Sequence, residues 1–554
     1  MFRSIFKKLR YWQLVNQNLN RKQKNQDKNQ DKNQDKNQEK NQNQDEKINT
    51  RLSYNLDNNL ELIRDILGRS DDIIIREFAI GDKGQIKAGI LFLDGMVNKD
   101  QVNDSIIKPL MYESQKKLEA LTRGTNDIPS MGEFQKLMVS IGETDIADKV
   151  YRIVDACLSG DTVLLIDGIN QALTISVQGW ENRGVFDPQT DSTVRGPREG
   201  FSEDLRTNTT LLRRRIKSPD FTFETMKIGS RTRTTVCLAY IKGIVDPLII
   251  EEAKRRLNRI DTDAILESGY IEGFIEDAPF SIFSTVGNSE RPDVVAAKLL
   301  EGRAAILVDG TPFVLTFPMV FIESFQSRED YYSRSYYSSL VRLIRFISFV
   351  ISILGPAIYV AVTSFHQELL PTPLLFSVAA AEEGVPFPSV MEVLVMGIIF
   401  EILREAGIRL PRPVGQAISI VGALVIGESA VNAGLIGEPV VIVVALTAVA
   451  SFVVPAQVDS GALLRILFTI LAGTMGIFGI MVGLTSTLIH LASLRSFGTP
   501  YLFPLAPLSL TGLKDVFVRF PIWAMLTRPK TLVYKDSHRQ KFILKPTAPI
   551  KDEE

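Results

Sequence analysis

The chain has 554 residues, which is enough for two or three domains. Its 63 Lys and Arg residues nearly balance its 64 Asp and Glu residues, so the net charge of −1 gives no indication of a nucleic-acid partner. Three His and two Cys residues without ligand-like spacing argue against a zinc or haem site, and we expect neither a metal nor a cofactor.

Residues 1–49 are predicted to form a disordered tail. Within them, residues 24–47 repeat a Lys-Asn-Gln-Asp unit that contains no apolar side chain, so burial cannot offset the entropy of the chain. The alternative is a tether or interaction tail. The basic N-terminus lacks the apolar stretch and the cleavage site of a signal peptide, so we expect the following domain to stay in the cytosol.

Residues 50–330 predict a cytosolic α/β domain of two similar subdomains, 50–190 and 191–330. The first subdomain contains a strand-turn-helix pattern and then a helix-strand-turn-strand pattern, and both patterns recur in the same order in the second. Asp167-Gly168 and Asp309-Gly310 occupy the same hairpin-turn position in the two copies. An internal duplication is therefore predicted, and chance similarity between common supersecondary units is the alternative.

A loop at 191–205 opens the second subdomain, with Gly and Pro residues on either side of charged ones. We interpret its Arg195, Arg198 and Glu199 as candidate interface or coupling residues. Arg342 and Arg345 join them as candidates, because they stand where the α/β domain meets the first apolar stretch.

Residues 331–500 predict an all-α membrane domain of about five to six spans. No residue from Phe346 to Phe365 carries a formal charge, and a helix of that length rises about 30 Å, the thickness of the hydrocarbon core. Further apolar stretches predict spans near 390–408, 414–434, 438–456 and 462–494.

The charges that flank these spans predict their topology. Arg334, Arg342 and Arg345 precede the first span, so the α/β domain should lie in the cytosol. The basic C-terminal segment, 501–554, should lie on the same side, but five crossings would leave it outside. Either the glycine-rich stretch 462–494 is a broken hairpin, or residues 496–526 re-enter or cross the membrane.

Four residues within the spans are candidates for an ion path or gate: Glu392, Gly397, Glu401 and Glu428. Charges inside spans are costly and usually face a bundle interior, a partner or water. The second span is short and amphipathic, which favours a pore-lining role. The alternatives are an interfacial cluster of Glu401 with its neighbours Arg404 and Glu405, and a structural contact between helices for Glu428.

The chain contains several long, distinctive motifs, among them RGPREGFSEDLRTNTTLLRRRI (195–216), ESGYIEGFIED (267–277), ERPDVVAAKLLEGRAAILVDGTPF (290–313), ESFQSREDYYSRSYYSSLVRLIRF (323–346) and LREAGIRLPRPVGQAISIVGALVIGESAVNAGL (403–435). Together these motifs closely resemble the A subunit of the GerA-family spore germinant receptors. One departure is Ser230, where the family usually carries Arg. The sequence contains no Walker A, nucleophile-elbow or HExxH pattern, so we do not expect an enzyme.

The resemblance implies a subunit of a three-component receptor complex in the spore inner membrane. Its partners would be a transporter-like B subunit, a lipoprotein C subunit, membrane lipid and further copies of itself. It would take part in signal transduction as a nutrient-gated ion channel that starts germination. A non-conducting scaffold and a secondary transporter are the alternative functions.

Overall fold

The computed structural model describes residues 49–68, 70–80, 86–113, 130–137, 143–179, 195–409, 427–509, 512–529 and 538–540. The chain divides into two compact units, one of residues 1–183 with 209–224 and one of residues 184–208 with 225–554. Nearly all of the predicted tail and much of the predicted third span lie outside the described residues.

The N-terminal part is α/β, as predicted, and contains two five-stranded sheets built on antiparallel strand pairs. The strand order is β1-β2-β4-β5-β3 in the first and β6-β7-β9-β10-β8 in the second, which is the same order in each. The elements of the first sheet region are α1 (Leu56–Leu67), β1 (Ile73–Ile80), β2 (Ile86–Leu93), α2 (Lys99–Gln101, followed by π-helical turns Val102–Ile107 and Pro109–Glu113), α3 (Met131–Leu137), β3 (Thr144–Ala147), α4 (Val150–Ser159), β4 (Thr162–Ile166) and β5 (Ala172–Ile175). Those of the second are α5 (Leu205–Arg215), β6 (Phe221–Ile228), β7 (Thr234–Ile241), α6 (Pro247–Asn258), α7 (Ser268–Ile275), β8 (Gly287–Ser289), α8 (Pro292–Leu300), β9 (Ala304–Val308) and β10 (Val314–Phe317).

In both sheet regions, an aspartate in a hairpin turn accepts a hydrogen bond from the start of the first helix. The Asp167 carboxylate accepts a hydrogen bond from the backbone N–H of Leu56 at 3.0 Å, and the Asp309 carboxylate accepts one from Leu205 at 3.3 Å. Each Asp is followed by a glycine with positive φ, 85° at Gly168 and 89° at Gly310. A hairpin turn therefore caps the N-terminus of a helix in each copy, which is the kind of detail that a duplication predicts.

The C-terminal part is helical. Two described segments are long and apolar enough to cross a membrane, Ser335–Phe365 and Pro455–Ser493. The helices are α9 (Glu329–Tyr332), α10 (Ser335–Phe365), α11 (Thr372–Glu382), α12 (Ser389–Arg409), α13 (Gly427–Asn432), α14 (Glu438–Phe452) and α15 (Val458–Ser493); β11 (Arg495–Ser496) and β12 (Thr499–Pro500) follow, and short 3₁₀ turns lie at Phe321–Phe325, Gln367–Leu369, Pro455–Gln457, Gly512–Asp515 and Ile522–Ala524.

Helix α15 folds back on itself at Gly476, whose φ of 61° and ψ of −142° suit glycine alone. A Cβ added at Gly483 would lie 2.8 Å from the Phe468 ring, although residues fifteen apart in a straight helix are separated by about 22 Å. Gly479 likewise packs on the Leu471 carbonyl. The segment is therefore the broken hairpin that the sequence left as one of two alternatives, with a first arm (458–475) and a second arm (477–493).

The open end of this hairpin lies against the second α/β subdomain. The Gln457 amide before the first arm donates to the Ser324 hydroxyl at 2.8 Å, and the His490 ring in the second arm lies 3.0 Å from the Ser281 hydroxyl. The bend at Gly476 instead packs against Phe365, at the far end of α10. The hairpin therefore runs the length of α10 and returns.

The turn that follows the hairpin is anchored in the same subdomain. The Phe497 ring stacks on Phe317 with 4.3 Å between centroids, and the Arg256 guanidinium lies 4.4 Å above Phe497. The Phe497 N–H donates to the Asp277 carboxylate at 2.6 Å. The end of the second arm is therefore joined to the second sheet through Phe497.

Candidate functional site in the helical bundle and at its base

A cavity of about 570 Å³ lies among α10, α12, α14 and the first arm of α15. That volume is in the range of small-molecule sites. Its wall is mostly apolar, with charged groups at one side. The lining side chains include Pro356, Val393, Gly397, Phe400, Glu401, Glu405, Arg409, Val444, Thr447 and Arg465.

The charged part of the cavity wall is centred on Glu401. Its carboxylate pairs with Arg404 one turn along α12, at 2.8 Å, and with Arg465 of the first arm of α15. The Arg465 side chain is only 10% exposed, so this pair sits in a medium that screens charge poorly. The charge of Glu401 is therefore balanced by arginines, and its carboxylate links α12 to the first arm of α15. An ion that entered the cavity would compete with Arg465 for it.

The four predicted ion-path residues occupy three different places. Gly397 and Glu401 line the cavity together. Glu392 is buried elsewhere, and its carboxylate accepts a hydrogen bond at 2.7 Å from the N–H of Gly437, the residue that caps the start of α14. Glu428 is exposed on the short helix α13. The cavity therefore unites two of the four candidates.

A second cluster lies at the base of α10. The Arg342 side chain is 1% exposed and donates to the Asp330 carboxylate of α9 at 2.8 Å and to the Asp515 carboxylate at 2.7 Å. Arg345 also donates to Asp330, at 2.8 Å. Arg342 and Arg345 thus attach the start of α10 to α9, and Arg342 also attaches it to the C-terminal segment.

Tyr331 completes this basal cluster. Its hydroxyl donates to Asp515, and the guanidinium groups of Arg328, Arg342 and Arg519 lie 5.3, 5.3 and 5.6 Å from its ring centroid. Such stacking favours the cations electrostatically. Burial raises the pKa of the Tyr331 hydroxyl and of the Asp515 carboxyl. Tyr331 therefore stays a neutral hydrogen-bond donor.

The other three predicted coupling residues lie in the loop beside α9. The Arg195 N–H is 3.5 Å from the Glu329 carboxylate, Arg198 is exposed and Glu199 is half-buried. The closest approach in this loop is at Gly196, where an added Cβ would lie 2.8 Å from the Tyr332 ring. The loop therefore approaches α9 mainly through its backbone.

Some residues of these clusters were not predicted from the sequence. Arg465 carries the one Lys, Arg, Asp or Glu side chain between residues 460 and 494, which is a signal that could have identified it. Asp515 gives no such signal, because it lies in an ordinary loop sequence, 173 residues from its partner Arg342.

Comparisons with known proteins agree with the predicted resemblance. The family model of the Bacillus/Clostridium GerA spore germination proteins matches residues 61–531. Spore germination protein KA of Bacillus subtilis is 46% identical over 476 residues, which cover 86% of each chain. Spore germination protein GerLA of Bacillus cereus is 42% identical over 477 residues, covering 86% of this chain and 95% of that protein.

A solved structure also matches the N-terminal half. It is the N-terminal domain of the A subunit of the Bacillus megaterium spore germinant receptor GerK3, 39% identical, covering 49% of this chain and 98% of that one with a TM-score of 0.39. The family match extends over most of the chain, and relatives such as proteins KA and GerLA are A-type spore germination subunits. The predicted resemblance is confirmed: this chain belongs to the GerA family of spore germination proteins.

Proposed function

We propose that the chain is the A-type membrane subunit of a germinant receptor and that several copies form a nutrient-gated ion channel. Its relatives are spore germination proteins of this type, which supports a receptor role. The channel part of the proposal rests on the helical bundle and its cavity. The complex would lie in the spore inner membrane, with the α/β domain in the cytosol.

The observation that carries the channel proposal is the Glu401–Arg465 pair within the cavity. Carboxylates lining a path between helices suit cation selection. An arginine that neutralises such a carboxylate keeps the path closed until the helices move apart. Glu401 and Gly397 are accordingly the ion-path residues of this proposal, and Glu392 and Glu428 would act outside the cavity, in packing or at the entrance.

The fold of the bundle is consistent with six crossings. Val390 of α12 packs on Gly473 near the hairpin bend, whereas Glu401 of the same helix meets Arg465 nearer the base. Helix α12 thus runs back toward the side from which α10 departs. Together with α10, α14 and the two arms, the predicted third span would complete six crossings, and the basic C-terminal segment would then lie on the α/β side.

The proposed partners are a transporter-like B subunit and a lipoprotein C subunit. Nutrient bound on the B subunit would favour one of two packings of the helices, and the difference in its affinity for the two would supply the gating energy. The basal cluster around Arg342 and the anchored Phe497 are the contacts through which such a change would pass between the helices and the second subdomain.

Replacing Glu401 with Gln tests the gate. The change removes the charge that holds α12 to the first arm of α15, so we expect nutrient-independent ion release to rise by roughly tenfold, equivalent to about 1.4 kcal/mol of lost closed-state contacts. Release is measured from spores that carry the variant, with receptor assembly checked by co-purification. The double variant E401Q/R465Q should release less than E401Q, because it also removes the Arg465 charge and leaves only Arg404 without the Glu401 carboxylate.

Glu438→Gln is the matched control, since Glu438 is exposed at the start of α14. It should behave like the wild type. Normal release from E401Q spores with an assembled receptor would remove Glu401 from the ion path. An assembled receptor that conducts in no variant would instead support the scaffold function.

A further inference from the structure

The second α/β subdomain carries an unusual exposed apolar surface. Nine large hydrophobic side chains are exposed among the described residues between 49 and 330, and five of them fall between residues 266 and 282. The most exposed is Phe280, at 100%. We call these five the aromatic strip: Leu266, Tyr270, Phe274, Phe280 and Ile282. Such concentration in one segment marks an interaction surface.

Helix α7 gives the strip an uncharged outer face. Tyr270 and Phe274 are four residues apart and therefore lie on the same side of the helix, while Ile271 and Ile275 face the core. Gly269 and Gly273, each directly before one of the two rings in the chain, add no side chain beside them. The acidic side chains next to them, Glu272 and Glu276, meet at the Ser284 hydroxyl, 3.0 and 3.2 Å away.

The position of the strip indicates what covers it. Ser281 lies between Phe280 and Ile282, and its hydroxyl contacts His490 at the end of the second arm of α15. The two residues before that histidine, Leu488 and Ile489, are themselves 53% and 65% exposed. The apolar outer surface of the hairpin thus continues directly into the strip, and a bilayer that surrounds the hairpin reaches it.

We propose that the aromatic strip inserts into the boundary between lipid headgroups and acyl chains on the α/β side of the bilayer. This proposal rests on the membrane placement of the hairpin under the proposed function. The chemistry is that of an interfacial anchor, with aromatic rings in the headgroup layer. The segment 266–282 contains no Lys or Arg, and the neighbouring Arg256 is paired with Asp277, so the anchor does not require anionic lipid. It holds the second subdomain against the membrane while the helices move.

The test is the membrane depth of a spin label at Phe280→Cys in the full-length chain, reconstituted in phosphatidylcholine vesicles. The two native cysteines, Cys157 and Cys237, are buried and leave the introduced thiol as the reactive one. Collision with oxygen, which partitions into lipid, is compared with collision with a water-soluble nickel chelate. We expect a depth of about 5–10 Å below the headgroup surface, and the same from Phe274→Cys.

Two further labels distinguish a failure of the strip proposal from a failure of the membrane placement on which it rests. Ile358→Cys reports an exposed position within the uncharged stretch 346–365 of α10, and Tyr54→Cys reports an exposed position in the first unit. A lipid signal at Ile358 with a Tyr54-like aqueous signal at Phe280 would overturn the strip proposal and leave the membrane subunit intact. An aqueous signal at Ile358 would overturn the membrane placement itself. If the label at Phe280 were shielded from both oxygen and the nickel chelate, and its spectrum showed dipolar broadening, the strip would contact a second copy of the chain. That result would also overturn the proposal.

Discussion

Replacing Arg342 with Met is expected to cost the protein about 3 kcal/mol of stability, the low end of what breaking a buried ion pair costs. Methionine keeps an apolar stem of similar length but cannot donate to Asp330 and Asp515. The Asp515 carboxylate is then left without its arginine partner. The expected result is a clear fall in the melting temperature of the detergent-solubilised chain and a lower receptor level in spores.

Two further variants test whether the loss of stability comes from the buried ion pairs of Arg342. Arg334→Met removes an exposed arginine just before α10 and should change stability by no more than about 0.5 kcal/mol. The double variant R342M/D515N should recover part of the loss, because it also removes the uncompensated carboxylate. Equal melting temperatures for R342M and R334M would show that the basal cluster contributes nothing to stability.

Replacing Gly476 with Ala is expected to destabilise the hairpin by about 1–3 kcal/mol through backbone strain alone, since its φ of 61° and ψ of −142° exclude a side chain. The added Cβ would also approach Phe365 and His366 at 3.0 Å. The measurement is the melting temperature of the purified chain, together with protease sensitivity at the bend.

Gly397→Ala is the matched control for this change. No atom of the described residues lies within 4 Å of a Cβ added at Gly397, and alanine in a helix interior is favoured over glycine by about 0.5–1 kcal/mol. The two Gly-to-Ala changes should therefore shift the melting temperature in opposite directions. A Gly476 variant as stable as the wild type would contradict the bend.

The α/β fold was predictable because its signals are local. Alternating apolar residues predict strands, and Asp167-Gly168 and Asp309-Gly310 predict two equivalent turns from the conformational needs of a tight hairpin. The structure adds that these aspartates cap helices that begin 111 and 104 residues earlier in the chain. No local pattern could have supplied that pairing.

The candidate site was predictable only in part, because sequence signals are local whereas the contacts of the site join distant segments. Arg342 and Glu401 stand out because charges are unusual within or beside apolar stretches, and Gly397 was selected because it lies in the same short, amphipathic span as Glu401. Their partners Asp515 and Arg465 are distant in the sequence and are brought to them by helix packing. The bend at Gly476 was predicted only as one of two alternatives, since glycine-rich helices occur both straight and broken.

The most direct test of the channel proposal is the ion conductance of the purified chain in planar bilayers, with and without its co-expressed partners and a panel of nutrients. The proposal predicts nutrient-dependent, cation-selective current steps from the assembled complex, and steps without nutrient from the E401Q variant. A silent bilayer containing correctly assembled complex would contradict it and move the pore to the transporter-like partner.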